Sequence, residues 1–308
     1  MPIGGMVGAL LGGWIQDFAG RKVAFMTAGG LAIGGILVIF LSDRTPDGNV
    51  TFLCGKVADG LAVGVIGTST QTYMSEIVPR RLRGPALAFF PIFTLFGQLV
   101  ATGVSLALES DETKFSYRMA IATAWPFCLI PILLGIFVPE SPSLLLRQEK
   151  TRSAWNSFVK LHGAETAAQC QDLFEEMRKA IVEERRVTEK IRYIDCFRGT
   201  NLRRTFIVVF ANIIPDLFGL SMLGNATYFV QQLGMPSSMS FVVQLVGILL
   251  AMIANGGAFV TLLRFGRRTH ILLSLCVVTS LWFGMGFTGI VEPSETVAWY
   301  VSAGDLSW

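Results

Sequence analysis

Long apolar stretches recur along this chain of 308 residues, and each is close to the roughly 20 residues that a helix needs to cross a bilayer. The eight complete stretches are 2–16, 23–41, 51–76, 85–108, 119–138, 205–233, 239–262 and 269–290, and another begins at residue 296. Charged residues make up only 15% of the chain, against about 25% in soluble domains. The sequence therefore predicts an all-α membrane protein, a helical bundle whose first partner is the lipid bilayer.

Basic residues mark one side of the predicted membrane. When the loops are assigned alternately to two sides, one side receives Arg21–Lys22, Arg80–Arg83, Arg264–Arg268 and the long charged segment 139–204. Cytoplasmic loops are the ones enriched in Lys and Arg. We therefore expect a multi-pass integral membrane protein of the plasma membrane, with its main charged loop in the cytoplasm.

Several functional classes lack their sequence signatures here. No glycine-rich phosphate loop follows a predicted strand, which argues against an ATP-driven pump or a membrane enzyme. The five cysteines and two histidines have neither metal-binding nor redox spacing. We expect no enzyme activity, no cofactor, no metal and no nucleic-acid partner.

The long charged segment has helical periodicity. We predict helices at Thr151–Leu161 and Ala164–Arg192, with Trp155, Phe158 and Leu161 on one apolar stripe. Charge pairs four residues apart, such as Glu175 with Lys179, would support these helices. The alternative is a solvated linker.

Glycines at short intervals mark the stretch 51–76. They are Gly55, Gly60, Gly64 and Gly67. Small residues let membrane helices approach closely, so we interpret these glycines as packing positions.

Four short motifs follow one another in order. They are Gly13-x3-Asp17-x2-Gly20-Arg21-Lys22, Tyr73-x2-Glu76-x2-Pro79-x3-Arg83-Gly84, Pro139-Glu140-Ser141-Pro142 and the shorter Leu263-Arg264-Phe265-Gly266-Arg267-Arg268, which echoes the first. With these motifs in register, the chain resembles the sugar porter family of the major facilitator superfamily. The segments 196–200 and 228–234 further resemble the fungal α-glucoside, or maltose-type, permease branch.

The resemblance implies a major facilitator-type helical bundle of two pseudo-repeats. It implies an N-terminal half at 1–138 (family spans two to six), a cytoplasmic helical linker at 139–204, and a C-terminal half at 205–308 (spans seven to nine and the start of ten). The first and last motifs are expected to form tight turns between spans. Family spans one, eleven and twelve have no counterpart, so we expect a slice of a longer carrier, truncated at both ends.

The resemblance also implies a cytoplasmic gate. Its residues would be Asp17, Gly20, Arg21, Glu76, Arg83, Glu140, Arg267 and Arg268. Opposite charges there would fasten the two halves in one state and separate in the other, and a network is required because an exposed ion pair contributes only about 0–1 kcal/mol. The alternative is that these charges only orient the spans and keep the loops in water.

Two charged residues lie one helical turn apart inside the third apolar stretch, Lys56 and Asp59. Sugar porters usually carry an arginine at the position of Lys56, which in proton-coupled members faces an aspartate on span one. The resemblance therefore implies a coupling role for Lys56, with protons as the coupled ion, while the span-one aspartate has no counterpart that can be named here. Asp59 is a second coupling candidate because ionisable groups inside a membrane are functional candidates by default. The alternative is that Lys56 and Asp59 pair with each other.

Sugar hydroxyls are bound by side chains that donate or accept hydrogen bonds. The candidate substrate-binding residues are Gln98, Asp216, Ser221, Asn225 and Tyr228. The family's amide pair on span seven is replaced by Pro215 and Asp216, so we expect a specificity unlike that of a typical hexose carrier. Any of these side chains could instead be bonded within the bundle.

The resemblance implies a carbohydrate transporter that works by alternating access, with proton symport of an α-glucoside or hexose. One alternative is a degenerate carrier that does not transport, or a membrane sensor or partner subunit. Another is a major facilitator carrier of a non-sugar solute, and the motifs around Glu76 and Glu140 argue against it.

Overall fold

A computed structural model describes residues 1–79, 82–108, 114–162, 167–188, 193–217, 227–228, 231 and 236–288 of the chain. Within these ranges the regular structure is helical and no strand occurs, which confirms the predicted all-α class. The helices are α1 Pro2–Phe18, α2 Arg21–Leu41, α3 Gly48–Ile77, α4 Arg83–Leu108, α5 Lys114–Ala122, α6 Trp125–Phe137, α7 Pro142–Arg147, α8 Thr151–His162, α9 Ala167–Thr188, α10 Gly199–Leu217 and α11 Ser237–Thr288. Short 3-10 turns occupy Ser42–Arg44 and Tyr193–Phe197.

Five segments in the described part of the chain are long and apolar enough to cross a membrane. They are Arg21–Arg44, Gly48–Ile77, Phe89–Leu108, Tyr117–Phe137 and Ser238–Ala258. The first helix, α1, has 17 residues and coincides with the predicted span 2–16. A membrane protein with several apolar helices is thus confirmed.

The structure departs from the sequence prediction in two places. The predicted span 119–138 is confirmed as the apolar segment Tyr117–Phe137, but this segment is divided between α5 and α6. Pro126 has no backbone N–H to continue the first helix and instead opens the second. The predicted turn at 263–268 is wrong, because α11 continues through it as a helix of 52 residues. No proline interrupts α11, and Gly266 alone costs a helix only about 1 kcal/mol.

The chain divides into two compact units. The first contains Met1–Leu87 and Thr113–Lys190, and the second contains Ala88–Glu112 and Ile191–Trp308. The first unit therefore holds α1–α3 and α5–α9, and the second holds most of α4 with α10 and α11. The predicted boundaries at residues 138 and 204 stay a prediction.

Glycines allow α1 and α3 to pack with their backbones almost in contact. Gly4, Gly8 and Gly12 are the buried glycines of α1. A Cβ atom on Gly12 would lie 2.9 Å from the Cα of Val65, and one on Gly64 would lie 2.6 Å from the backbone nitrogen of Ala9. Because lipid is as apolar as a leucine side chain, such close packing is what holds membrane helices together.

The second helix is held on two sides by the same means. A Cβ on Gly55 of α3 would lie 3.0 Å from the carbonyl oxygen of Gly35 in α2. On the α6 side, a Cβ on Gly29 would lie 2.5 Å from Cγ1 of Ile132. The packing role predicted for Gly55, Gly60 and Gly64 is confirmed, whereas nothing lies within 4 Å of a Cβ added to Gly67.

Large apolar side chains cover the outward face of α1. Ile3, Val7, Leu10, Trp14 and Phe18 are all exposed and follow one another at about one helical turn. An aqueous surface does not favour such a row, so this face is suited to contact with lipid tails or with another apolar helix.

Helices α7, α8 and α9 share a small core of their own. Its buried members are Leu146, Ala154, Phe158, Phe174 and Ile181. The Trp155 ring meets the Phe174 ring edge-on, with 5.2 Å between the ring centroids. The two predicted helices are confirmed, and so is the inward placement of Trp155 and Phe158, whereas Leu161 is half-buried and is not part of this core. Glu175 pairs with Arg178 at 3.3 Å rather than with Lys179.

In the second unit, the 3-10 turn before α10 is tied to that helix. The Thr205 hydroxyl donates a hydrogen bond of 2.9 Å to the carbonyl oxygen of Cys196. Farther along α10, Phe206 and Phe210 stack with 6.3 Å between centroids and are both exposed, as lipid-facing residues would be.

The glycine packing predicts a sharp difference between two positions on α3. We expect Gly64→Leu to lower the free energy of unfolding by about 1–3 kcal/mol or more, because the new side chain forces α1 away from α3. The matched control is Gly67→Leu, where the added side chain meets open space. Thermal melting of both variants in detergent micelles measures the difference, and equal losses would contradict this packing.

Candidate functional site

Charged residues from three sequence motifs meet at one end of the first unit. We call Asp17, Arg21, Glu76 and Glu140 the charged cluster. Asp17 lies near the end of α1, Arg21 is the first residue of α2, and Glu76 lies in the last turn of α3. Glu140 follows α6 in the connection to α7. The cluster thus joins the ends of helices that are far apart in sequence.

Arg21 is a buried arginine with a partner for each guanidinium nitrogen. Its side chain is only 2% exposed. Nε donates to Oε2 of Glu76 at 3.1 Å, and Nη2 donates to Oε1 of the same carboxylate at 2.6 Å. Nη1 donates to the carbonyl oxygen of Gln16 at 2.7 Å and lies 3.5 Å from Asp17 Oδ1. Paired, fork-like bonding of this kind offsets the high cost of burying a charge.

Glu140 caps the second helix from 119 residues away. Its Oε1 accepts hydrogen bonds from the backbone N–H of Arg21 at 2.9 Å and of Ser141 at 3.1 Å, and its Oε2 accepts one from Lys22 at 3.3 Å. Gly20, which precedes α2, has no side chain to satisfy these first amides. A carboxylate is also favoured there by the positive end of the helix dipole.

Gly20 is required at its position for two reasons. Its φ of +102° lies in the region that side chains disfavour. A Cβ atom on this residue would also lie 2.5 Å from Oε2 of Glu140. Any other residue would therefore strain the turn and displace the carboxylate that caps α2.

Tyr73 supports the cluster from α3. Its hydroxyl donates a short hydrogen bond of 2.6 Å to the carbonyl oxygen of Pro139, the residue before Glu140. Its ring packs edge-on against Phe25, with 5.8 Å between centroids. We did not predict this role, although the position of Tyr73 one turn before Glu76 was a usable signal. The sequence also did not predict that the Gln16 carbonyl accepts a hydrogen bond from Arg21, because every residue has a backbone carbonyl and the residue type gives no indication.

Three arginines complete the set of residues predicted for the gate. Arg83, the first residue of α4, is exposed and forms no ion pair with any acid that the structure describes. Arg268 is exposed on α11, and the side chain of Arg267 lies outside the described residues. A gate role for these three arginines stays a prediction.

The predicted coupling residues lie together on α3. Lys56 and Asp59 are both half-buried, and no ion pair joins them among the side chains that the structure describes. The Lys56 ammonium instead lies 5.6 Å from the centroid of the Phe52 ring, a cation–π distance. Their role in coupling stays a prediction.

The predicted sugar-binding residues are only partly described. Gln98 is exposed on α4, and Tyr228 is exposed in the short described segment 227–228. Ser221 and Asn225 lie outside the described residues, as does the side chain of Asp216. This set stays a prediction. Within the described ranges, no group of three or more His, Cys, Asp or Glu side chains is placed to hold a metal ion.

A sequence model of one protein family matches the chain almost from end to end. The family is described as "Sugar (and other) transporter", and the match covers residues 1–303. The General alpha-glucoside permease of Saccharomyces cerevisiae is 26% identical over 294 residues, which cover 92% of this chain and 47% of that protein. The rat Solute carrier family 2, facilitated glucose transporter member 2 is 30% identical over 207 residues, covering 67% of this chain and 38% of that protein. The chain thus spans about half the length or less of these curated relatives.

Solved structures of one transporter share the fold. The xylose transporter XylE from E. coli, in a partially occluded inward-open conformation, has a TM-score of 0.78 and 19% identity, with 99% of this chain and 67% of that chain covered. The proton:xylose symporter XylE bound to 6-bromo-6-deoxy-D-glucose has a TM-score of 0.79 and 20% identity, with 99% and 66% covered. At this identity the likeness shows the fold, which is that of a major facilitator transporter.

The charged cluster predicts unequal roles for two acids that both lie near Arg21. We expect Glu76→Ala to lower the free energy of unfolding by about 3–5 kcal/mol, because it leaves a buried guanidinium without its paired acceptor. Asp17 is the matched control, since its side chain is 73% exposed and its contact is long, so Asp17→Ala should cost no more than about 1 kcal/mol. Unfolding by detergent titration measures both, and a cost as large for Asp17 as for Glu76 would contradict the assignment.

Proposed function

Because the chain belongs to the sugar porter family of the major facilitator superfamily, we propose that it is part of a carrier that moves a sugar across a membrane by alternating access. Alternating access requires bundles of helices that move as bodies around a binding site. The buried charged cluster is the observation that best supports this proposal, because it binds the ends of α1, α2 and α3 and the α6–α7 connection into one body.

We propose that the cluster serves the gate chiefly by keeping the first unit rigid. The partners of Arg21 in the described structure, Gln16, Asp17 and Glu76, all belong to that unit. Such a network resists deformation when the unit moves, because breaking any bond to the guanidinium leaves a buried charge without its partner, which is costly. The exposed Arg83 and Arg268, with Arg267, are then candidates for the contacts that form in one state and break in the other.

For the substrate, we propose an α-glucoside or a hexose. The names of the relatives support this choice, since they include a general alpha-glucoside permease and a facilitated glucose transporter. Gln98, Asp216, Ser221, Asn225 and Tyr228 are the proposed hydroxyl-binding residues. Their side chains offer the mixture of donors and acceptors that a sugar requires.

We further propose that protons are the coupled ion and that the carrier works in the plasma membrane. A proton:xylose symporter shares the fold, which supports the coupling. The half-buried Asp59 and Lys56 are the ionisable residues on α3 that we assign to it. An ionisable residue inside a membrane span is retained at a cost, and a coupling role gives a reason for that cost.

Sugar uptake is the direct test of this function. We expect yeast that lack their own maltose and hexose carriers to take up labelled maltose or glucose, saturably, when they express the native protein that contains this chain. Unlabelled sugar should compete and unlabelled amino acids should not. A fluorescent fusion must show that the protein reaches the plasma membrane. Surface arrival without saturable uptake would contradict the proposal and favour a sensor or partner subunit.

Coupling is tested with one further pair of variants. We expect Asp59→Asn to lower the ratio of internal to external sugar that cells reach by about tenfold or more. Exchange of labelled for unlabelled sugar should continue. Asp172→Asn, at an exposed acid on α9, is the control and should leave accumulation unchanged. Accumulation that survives in Asp59→Asn would remove this residue from the coupling mechanism.

A further inference from the structure

The helices α7 and α9 and the start of α8 line an open cavity that the proposed transport does not use. Its volume is about 300 Å³, near the lower end of the range for small-ligand sites. The lining residues are Leu146, Arg147, Glu149, Thr151, Arg178, Ile181, Val182 and Arg185. We call it the arginine cavity, because three of its eight lining residues are arginines around an apolar floor.

The three arginines are held by acids that a ligand can displace. Nη2 of Arg147 donates to Glu184 at 3.0 Å, Nη1 of Arg178 donates to Glu175 at 3.3 Å, and Nη1 of Arg185 donates to Glu149 at 2.7 Å. Each arginine side chain is about half exposed. Exposed ion pairs of this kind contribute little to stability, so an anion that offers more acceptors can exchange with the carboxylates at small cost.

Glu149 holds its carboxylate at the cavity through an unfavourable backbone conformation. It is the one non-glycine residue with a positive φ, +64°, in the part of the chain that the structure describes. Glu149 ends α7 with hydrogen bonds from its own N–H to Leu146 O at 3.0 Å and from Lys150 N–H to Leu145 O at 2.9 Å. Glycine is the usual residue at this type of helix end. A glutamate there places a carboxylate on Arg185 at a conformational cost.

We propose that the arginine cavity binds a phosphate-bearing ligand, with the guanidinium groups of Arg147, Arg178 and Arg185 and the Thr151 hydroxyl as its donors. The competing internal anions are Glu149, which lines the cavity, and Glu175 and Glu184. Guanidinium groups match the geometry of phosphate oxygens, which accept paired hydrogen bonds. Leu146, Ile181 and Val182 supply the apolar wall that a ring or a short chain needs. A lipid headgroup and a soluble phosphate share this chemistry.

Binding of inositol 1,4,5-trisphosphate to the full chain in detergent micelles, measured by calorimetry, tests the site. We expect saturable binding that Arg147→Gln and Arg185→Gln each weaken by about tenfold or more, because each removes a charged donor. Arg186→Gln is the matched control, since this arginine is the next residue of α9 and does not line the cavity, so its loss should change affinity by no more than about twofold. No saturable binding, or equal losses for Arg185 and Arg186, would overturn the proposal.

A second variant keeps the test valid if the arginine variants fail to fold. Glu149→Gly suits the positive φ and removes the competing carboxylate, so we expect it to keep the fold and to raise the affinity for the trisphosphate by about threefold or more. Unchanged or weaker binding by this variant would count against the cavity.

Nanodiscs then distinguish the two sources of phosphate. If phosphatidylinositol 4,5-bisphosphate in the disc lowers the apparent affinity for the soluble trisphosphate relative to phosphatidylcholine alone, the cavity takes a lipid headgroup. If the affinity is the same in both discs, the cavity takes a soluble phosphate. The arginine dependence supports the site in either case.

Discussion

The burial of one guanidinium group constrains much of the first unit. Arg21 cannot be buried unless Glu76 and the Gln16 carbonyl are placed to receive its N–H groups, and that placement fixes the ends of α1 and α3 against the start of α2. Glu140 then satisfies the backbone amides that the same turn leaves open. Because a buried charge without partners is so costly, these contacts form together or not at all. The charged motifs are therefore structural before they are functional.

Elsewhere in the first unit, glycines hold the helices together because they have no side chains to keep the backbones apart. Water drives apolar surfaces together in soluble proteins, but a bilayer offers no such force between helices. The glycines of α1, α2 and α3 compensate for the missing hydrophobic force because they let the helix backbones touch. Each such approach adds many weak dispersion contacts. The α7–α9 module follows the soluble rule instead, with aromatic and aliphatic side chains around Phe158 and Phe174. One chain thus uses two packing principles.

Sequence patterns predicted the features whose causes are local. The stretch 51–76 became α3 at Gly48–Ile77, because its length and apolarity suit a membrane helix and no proline interrupts it. The resemblance to the sugar porter family, and not local pattern, grouped Asp17, Arg21, Glu76 and Glu140 in the predicted gate, and the structure brings these four together. The turn expected at 263–268 failed because Gly266 only weakens a helix and does not end one. The Gln16 acceptor and the Tyr73 bond to Pro139 depend on tertiary contacts, which no single segment encodes.

The capping of α2 by Glu140 has a consequence for biosynthesis. A ribosome releases the first residues of α2 long before it reaches residue 140, so during that interval the amides of Arg21 and Lys22 have no carboxylate to receive them. The guanidinium of Arg21 likewise waits for Glu76. The early helices must therefore remain adjustable in the membrane until the α6–α7 connection has emerged. The charged cluster can therefore be completed only after Glu140 has been synthesised.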